Sequence, residues 1–274
     1  MDTAQPRWNL PDKALIGMVH VRALPGTPYN TWSVGDIAVV AVQEAVALTR
    51  AGFDALILEN MHDRPYCLRE VGPEIVAGMT AVGRAVRAAV TCPLGIQVLA
   101  GANRAALAVA QACEAAFIRA EGFVFAHVAD EGIMGEADAA NLLRYRRAIG
   151  AEHIAVVADI KKKHSAHAIT ADVDLAETAK AAAFFGADGV IVTGTATGHA
   201  TRAEDVSEVA DAVDLPVLVG SGTTPQNLAD LWPHADGFIV GSSLKVDGVW
   251  SNPLDPQRVD AFVAAANRLT EPRP

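Results

Sequence analysis

Residues Pro216–Pro225 read PVLVGSGTTP, and one strand further on Gly237–Ser243 echo them as GFIVGSS. Each stretch is a short apolar run of buried-strand type that breaks at its C-terminal end into Gly and Ser. After the first run, Thr224 is placed to cap a helix and Pro225 to open it, where a missing N–H costs nothing. Gly220, Gly222 and Gly241 put no Cβ in the way of an approaching oxyanion, and a helix start adds a favourable dipole. Two such turns near the end of a long chain match the loops after the seventh and eighth strands of a (β/α)8 barrel, which often build a phosphate site. The plain alternative is that these glycines only make tight turns between strand and helix.

Working back from that pair, the chain alternates strand and helix. Ala14–His20, Ala55–Glu59, Pro93–Val98, Phe117–Glu121, Ile154–Ile160 and Gly189–Thr193 read as apolar strands of the kind buried on both faces of a parallel sheet. Helical spacing predicts helices from Asp36, as cap, to about Ala51, from Pro73 to about Val90, and over Asn103–Ala116 and Ala137–Ile149. Further helices run to about Phe185, over Ala203–Val213 and over Gln257–Leu269. Gly122–Glu136 reads as a long loop, a length that in compact domains usually marks function. Roughly eight strand–helix units give an α/β fold, a (β/α)8 TIM barrel of one domain over 1–274, with 1–13 as a polar lead-in. A doubly wound open sheet is the alternative architecture.

The 274 residues are 51% hydrophobic and 20% charged, enough apolar material for one large core. A net charge of −10 argues against a nucleic-acid partner. Cys67, Cys92 and Cys113 are odd in number and lack a CxxC pair, which suggests a reducing compartment. The opening MDTAQPRWNLPDK carries no basic stretch followed by an apolar core, and no run approaches a membrane span, so the expected location is the cytoplasm. Ala38–Val46 and Ala179–Phe185 hold more small and aliphatic residues than a solvated face needs, which suggests a homo-oligomer.

In a barrel, the strand ends share one mouth, and catalytic groups come from several of them. The ends read His20, Glu59, Gln97, Arg119 with Glu121, Asp159, Thr193, Ser221 and Ser242, a polar residue at nearly every strand. Core packing does not need that pattern, whereas a polar small-molecule site does. Glu59 and Asp159 emerge from apolar strands as an acid–base pair, or else form salt bridges with Arg119 or Lys161. Alternation along an extended segment would turn Lys161 and Lys163 the same way as Asp159, toward substrate charge, with His164 beside them. Thr193 and Thr195 offer hydroxyls that extend the phosphate site. His20, His62, His127, His164 and His199, with Glu59, Asp63 and Asp159, could hold a divalent metal, but no HxH or HExxH spacing supports one.

Several segments together carry a family likeness: GMVHVRALPGTP, AGFDALILENMHDRPY, FIRAE, EADAANLLRYRRAIGA, VVADIKKKH, DGVIVTGTATG, and VLVGSGTT with FIVGSSLK. They resemble the BtpA/SgcQ family over about Ala14 to Val263. The resemblance implies kinship with ribulose-phosphate-binding barrels, a role in photosystem I accumulation for one branch, and sugar metabolism for another. It carries over no catalytic residue. EGFVFAHVADEGIMGEA is where substrate choice is expected to lie.

The resulting expectation is an enzyme acting on a phosphorylated sugar or phosphoribosyl compound, as an isomerase, lyase or glycosidic-bond hydrolase. Phosphate would sit on Gly220, Ser221, Gly222, Gly241 and Ser242, extended by Thr193 and Thr195. Asp159, Glu59, Lys161 and His20 would carry the chemistry, and Gln97, Arg119, Glu121, Lys163 and His164 would hold substrate. The rivals are a non-catalytic photosystem I biogenesis factor and a barrel that binds FMN through the same glycine turns.

Overall fold

The computed structural model describes residues 9–194 and 201–270. Eight parallel strands close a barrel in the order β1-β11-β10-β9-β7-β4-β3-β2. They are β1 (Ala14–His20), β2 (Ala55–Glu59), β3 (Leu94–Gln97), β4 (Phe117–Ala120), β7 (Ala155–Ile160), β9 (Gly189–Val192), β10 (Val217–Val219) and β11 (Gly237–Val240). Around them stand α1 (Val34–Ala51), α2 (Pro73–Ala89), α3 (Asn103–Ala112), α4 (Ala139–Ala148), α5 (Leu175–Phe184), α6 (Ala203–Ala212), α7 (Leu228–Leu231) and α8 (Pro256–Thr270). The molecule is a single-domain TIM barrel.

Two apolar regions follow from the two-residue period of a strand. Ala14, Ile16, Met18, Ile57, Phe117, Val157, Ile191, Leu218 and Ile239 fill the barrel interior. Their neighbours Leu15, Val19, Leu56, Leu58, Ile118 and Val156 belong to the layer between strands and helices. Phe117 occupies its place because Gly95 leaves it; a Cβ there would stand 2.3 Å from the ring. Interior packing thus uses one aromatic against one glycine across β3 and β4.

Three sequence expectations need correction. Ser33, not Asp36, caps α1, accepting the N–H of Asp36 at its hydroxyl. The stretch 122–136 is not a plain loop, because it folds into an antiparallel hairpin of β5 (His127–Ala129) and β6 (Gly132–Met134). The short β8 (Ser165–Ala166) adds to its edge, making a three-stranded sheet outside the barrel. After β10, no helix starts at Pro225. The Asn227 side chain accepts the Thr224 N–H at 2.8 Å and donates to the Gly222 carbonyl at 2.9 Å, so a side-chain turn competes with the helix. Only the four-residue α7 follows.

Candidate active site at the barrel mouth

The interior rows continue past the apolar core by one more step of two residues. Met18 leads to His20, Ile57 to Glu59, Gly95 to Gln97, Phe117 to Arg119, Val157 to Asp159 and Ile191 to Thr193, all of them buried. On the remaining two strands, Leu218 leads to Gly220 and Ile239 to Gly241. The strand period therefore brings eight candidate positions into one layer.

Arg119 and Asp159 are joined directly, with the guanidinium Nε donating to Oδ2 at 3.0 Å and Oδ1 at 3.2 Å. Burial pulls Asp159 upward from the ordinary carboxylate range, and the Arg119 charge opposes it. The other end of Arg119 crosses the barrel. A Cβ on Gly220 would lie 3.4 Å from its Nη2, and neither Nη group donates to an acceptor among the described residues.

Glu59 stands apart from that pair. Burial pushes its carboxyl up to about 7, against the lowering charges of Arg119 and Lys163. Its neighbour is His20, whose Nε2 is 3.7 Å from Oε2. His20 Nδ1 lies 3.0 Å from the Trp250 carbonyl, which can only accept, so Nδ1 carries the proton and Nε2 turns a lone pair toward Glu59. Burial, with the Lys245 charge, holds His20 neutral down to about 3. A carboxyl titrating near neutrality beside a neutral imidazole is equipped to give or take a proton.

The lysine run does not keep the alternation expected of it. Lys161 has φ 45, and its ammonium donates to the Thr170 carbonyl at 3.1 Å rather than joining Asp159. Lys162, which the sequence reading passed over, is buried instead, 3.3 Å from Glu121 and 4.0 Å from Glu131. Lys163 is drawn below its ordinary range by burial and by Arg119, while Glu59 and Asp159 act in the opposite sense. Its backbone N–H donates to the Thr193 hydroxyl at 3.0 Å. His164 is exposed. Thr195 and His199 lie outside the described residues.

Gln97 Nε2 reaches Glu121 Oε1 at 3.5 Å. Gln97 Oε1, Glu121 Oε2, His127 Nε2 and Glu131 Oε2 are sealed from solvent without a hydrogen-bond partner. An unpaired buried polar atom costs about 1–3 kcal/mol, so several in one place are unusual. Three loops complete the opposite rim: Arg64 lies over the rings of Tyr29 and Trp250, and His62 packs on Trp250 at 4.8 Å. Trp250 was also missed from sequence. Its loop is anchored by buried Lys245, which donates to both carboxylate oxygens of Glu44 at 2.7 Å.

On the glycine side, Ser221 and Gly222 follow β10 with φ +70 at Gly222, and Ser242 opens a short 3-10 turn after β11. The backbone N–H groups of Ser221, Gly222 and Ser242 find no acceptor among the described residues. With α7 only four residues long, these open N–H groups, not a helix dipole, are what the turns offer. No group of three His, Cys, Asp or Glu able to hold a metal ion occurs among the described residues.

The sequence profile of the BtpA family matches residues 11–268. The chain belongs to that family. A Caenorhabditis elegans relative, named as mitochondrial, is 48% identical over 93% of each chain. Photosystem I biogenesis protein BtpA from Synechocystis is 37% identical, covering 92% of this chain and 87% of its own. A Methanocaldococcus jannaschii relative is also 37% identical, over 94% of this chain and 96% of its own. Among solved structures, orotidine 5'-phosphate decarboxylase from Pyrococcus horikoshii matches with a TM-score of 0.58 at 13% identity, covering 92% of this chain and 99% of that one. Thiamine phosphate pyrophosphorylase from Pyrococcus furiosus matches with a TM-score of 0.56 at 12% identity, over 94% and 97%. These likenesses agree with the TIM-barrel fold of the chain. No helix among the described residues is long and apolar enough to cross a membrane.

Proposed function

We propose that this BtpA-family barrel is an enzyme acting on a phosphorylated sugar or phosphoribosyl compound, by proton transfer of the isomerase or lyase kind or by glycosidic-bond cleavage. The observation that carries this reading is Arg119: a buried guanidinium, fixed at Nε by Asp159, extends to the glycine wall Nη groups that have no acceptor among the described residues. An anion there meets a permanent charge and the open N–H groups of Ser221, Gly222 and Ser242 together. Glu59 is the general acid or base, His20 its neutral partner, and Lys163 a second charge for the substrate. Asp159 holds Arg119 in position. Orotidine 5'-phosphate decarboxylase and N-(5'-phosphoribosyl)anthranilate isomerase carry phosphorylated compounds in their names and share the fold, which favours the same substrate class.

The Synechocystis name favours a second reading, a biogenesis factor on the same scaffold. The assembly reading needs a docking face, and Phe184 and Phe185, 87% and 50% exposed at the end of α5, offer apolar surface for a partner or a second copy. The cytoplasm is the compartment proposed for this chain.

A thermal-shift panel of inorganic phosphate, sugar phosphates, nucleoside monophosphates and FMN, each with and without Mg²⁺, Mn²⁺ or Zn²⁺, tests the reading. A ligand at ~100 times its dissociation constant adds about 2.7 kcal/mol of stability. A shift selective for phosphate esters, abolished by Gly222→Asp, supports it. A flat response from folded protein moves the weight to the assembly factor. Once a substrate is found, full activity in both Glu59→Gln and Asp159→Asn would end the proton-transfer account.

A further inference from the structure

Resting on the phosphosugar reading above, we infer that the β3–β4 wall beneath the β5–β6 hairpin is a subsite for the hydroxyl-bearing end of the substrate, with Gln97 Oε1 and Glu121 Oε2 as its acceptors. Around the closed barrel, β10 stands four strands from β3 in either direction, and β11 four strands from β4. The glycine turns and these acceptors therefore face each other across the mouth. Glu59 on β2 and Asp159 on β7 lie on the two sides between them. A molecule held by phosphate at one wall and by its far end at the other passes the group that exchanges protons.

The acceptors define what that far end carries. Gln97 is 2% and Glu121 6% exposed, and the unpartnered oxygen of each presents lone pairs that only a donor satisfies. A cationic donor is disfavoured, because the Lys162 ammonium already stands 3.3 Å from Glu121 and the Arg119 charge acts on the same carboxylate. Uncharged hydroxyls meet the requirement, and a polyol supplies two or more at once.

Both oxygens are closed to water in this arrangement, so the hairpin must lift to admit a ligand. Its two ends are fixed by Arg69, whose guanidinium donates to the carbonyls of Gly122 at 2.9 Å and Glu136 at 2.7 Å. Between those anchors, β5 and β6 carry His127 and lead through Glu131, each with a side-chain atom closed to water and without a hydrogen bond. The segment that leaves polar atoms unpaired when shut is the one that moves.

Calorimetric titration of the full chain with inorganic phosphate, n-pentyl phosphate and ribose 5-phosphate tests the subsite. Pentyl phosphate shares the phosphate and the carbon count but has no other hydroxyl. Ribose 5-phosphate should bind about tenfold or more tighter than pentyl phosphate, as expected for paired acceptors, and Gln97→Met should remove most of that ratio. Glu121→Gln, which halves the carboxylate's acceptor capacity without changing its shape, should lower the ratio if Gln97→Met fails to fold. Equal affinity of the wild type for the two esters, or a ratio that survives both substitutions, overturns the subsite while leaving the phosphate site intact. Absence of binding by all three ligands removes the phosphosugar reading itself, and the subsite with it.

Discussion

On β2, β4 and β7 the interior position above the apolar core holds Glu59, Arg119 and Asp159, whereas on β10 and β11 the same position holds Gly220 and Gly241. Strand geometry treats all five alike, so the difference lies in side-chain volume and charge alone. One wall fills the mouth with ionisable groups whose burial shifts their proton affinities. The other removes its side chains, which leaves room for Arg119 to reach across and for backbone N–H groups to meet a guest. Burial is what makes the charged wall responsive, and bare backbone is what makes the glycine wall receptive.

The largest effect should come from breaking the ion pair between Arg119 and Asp159 in the charged wall. Arg119→Met leaves the Asp159 carboxylate buried without its partner, and such uncompensated charges cost about 3–5 kcal/mol. Urea unfolding near pH 7 should show that loss, and Asp159→Asn in the same background should restore part of it. A change below about 1 kcal/mol would mean that the pair is solvated.

Next comes the pH response of Glu59, whose folded proton affinity is raised from 4.5 to about 7. The folded state then binds more protons than the unfolded state over that interval, so stability falls as pH rises through it, by roughly 3 kcal/mol at most. His20, lowered from 6.5 to about 3, works in the opposite direction and loses stability as pH falls through its own interval. The Glu59 slope opposes that of His20 between about pH 4.5 and 6.5, and Glu59→Gln should steepen the rising limb, to which His62 and His127, each lowered by burial to about 4, also contribute. An unchanged stability profile in that variant would place Glu59 in water.

Filling the glycine wall should cost less. A Cβ at Gly220 would stand 2.3 Å from Ile191 Cγ2 inside the barrel, so Gly220→Ala should destabilise by about 1–3 kcal/mol through overpacking. At Gly241 the nearest atoms, on the His20 ring and Met18, are 3.3 Å away, and Gly241→Ala should cost about 1 kcal/mol or less. Its sharper signature is a displaced His20, read as a changed imidazole titration by NMR. Equal losses at the two positions would erase the distinction between a packed glycine and an open one.

The charged wall was legible because ALILE and AVVAD are unbroken apolar runs that each end in a carboxylate, and the two-residue period of a strand then turns Glu59 and Asp159 to the side of Ile57 and Val157. The rule failed one step later. Left-handed conformations at Lys161 and His164 break the extended run, so Lys162 enters the mouth and Lys161 leaves it. The helix expected at Pro225 gave way to a side-chain turn at Asn227, a local competition that the Pro signal alone does not settle. The β5–β6 hairpin has strands of three residues around Asp130 and Glu131, too short for a periodicity. Trp250 reaches His20 through a loop tied to α1 by Lys245 and Glu44, residues 201 positions apart, and no local pattern encodes such a contact.

A crystal soaked with ribose 5-phosphate shows whether the glycine wall and Arg119 together receive a phosphate. The phosphoryl group should lie against the N–H groups of Gly222 and Ser242, with an Arg119 Nη group in contact and the sugar directed toward Gln97. Phosphate bound elsewhere, or an occupied mouth with the glycine turns empty, would contradict it.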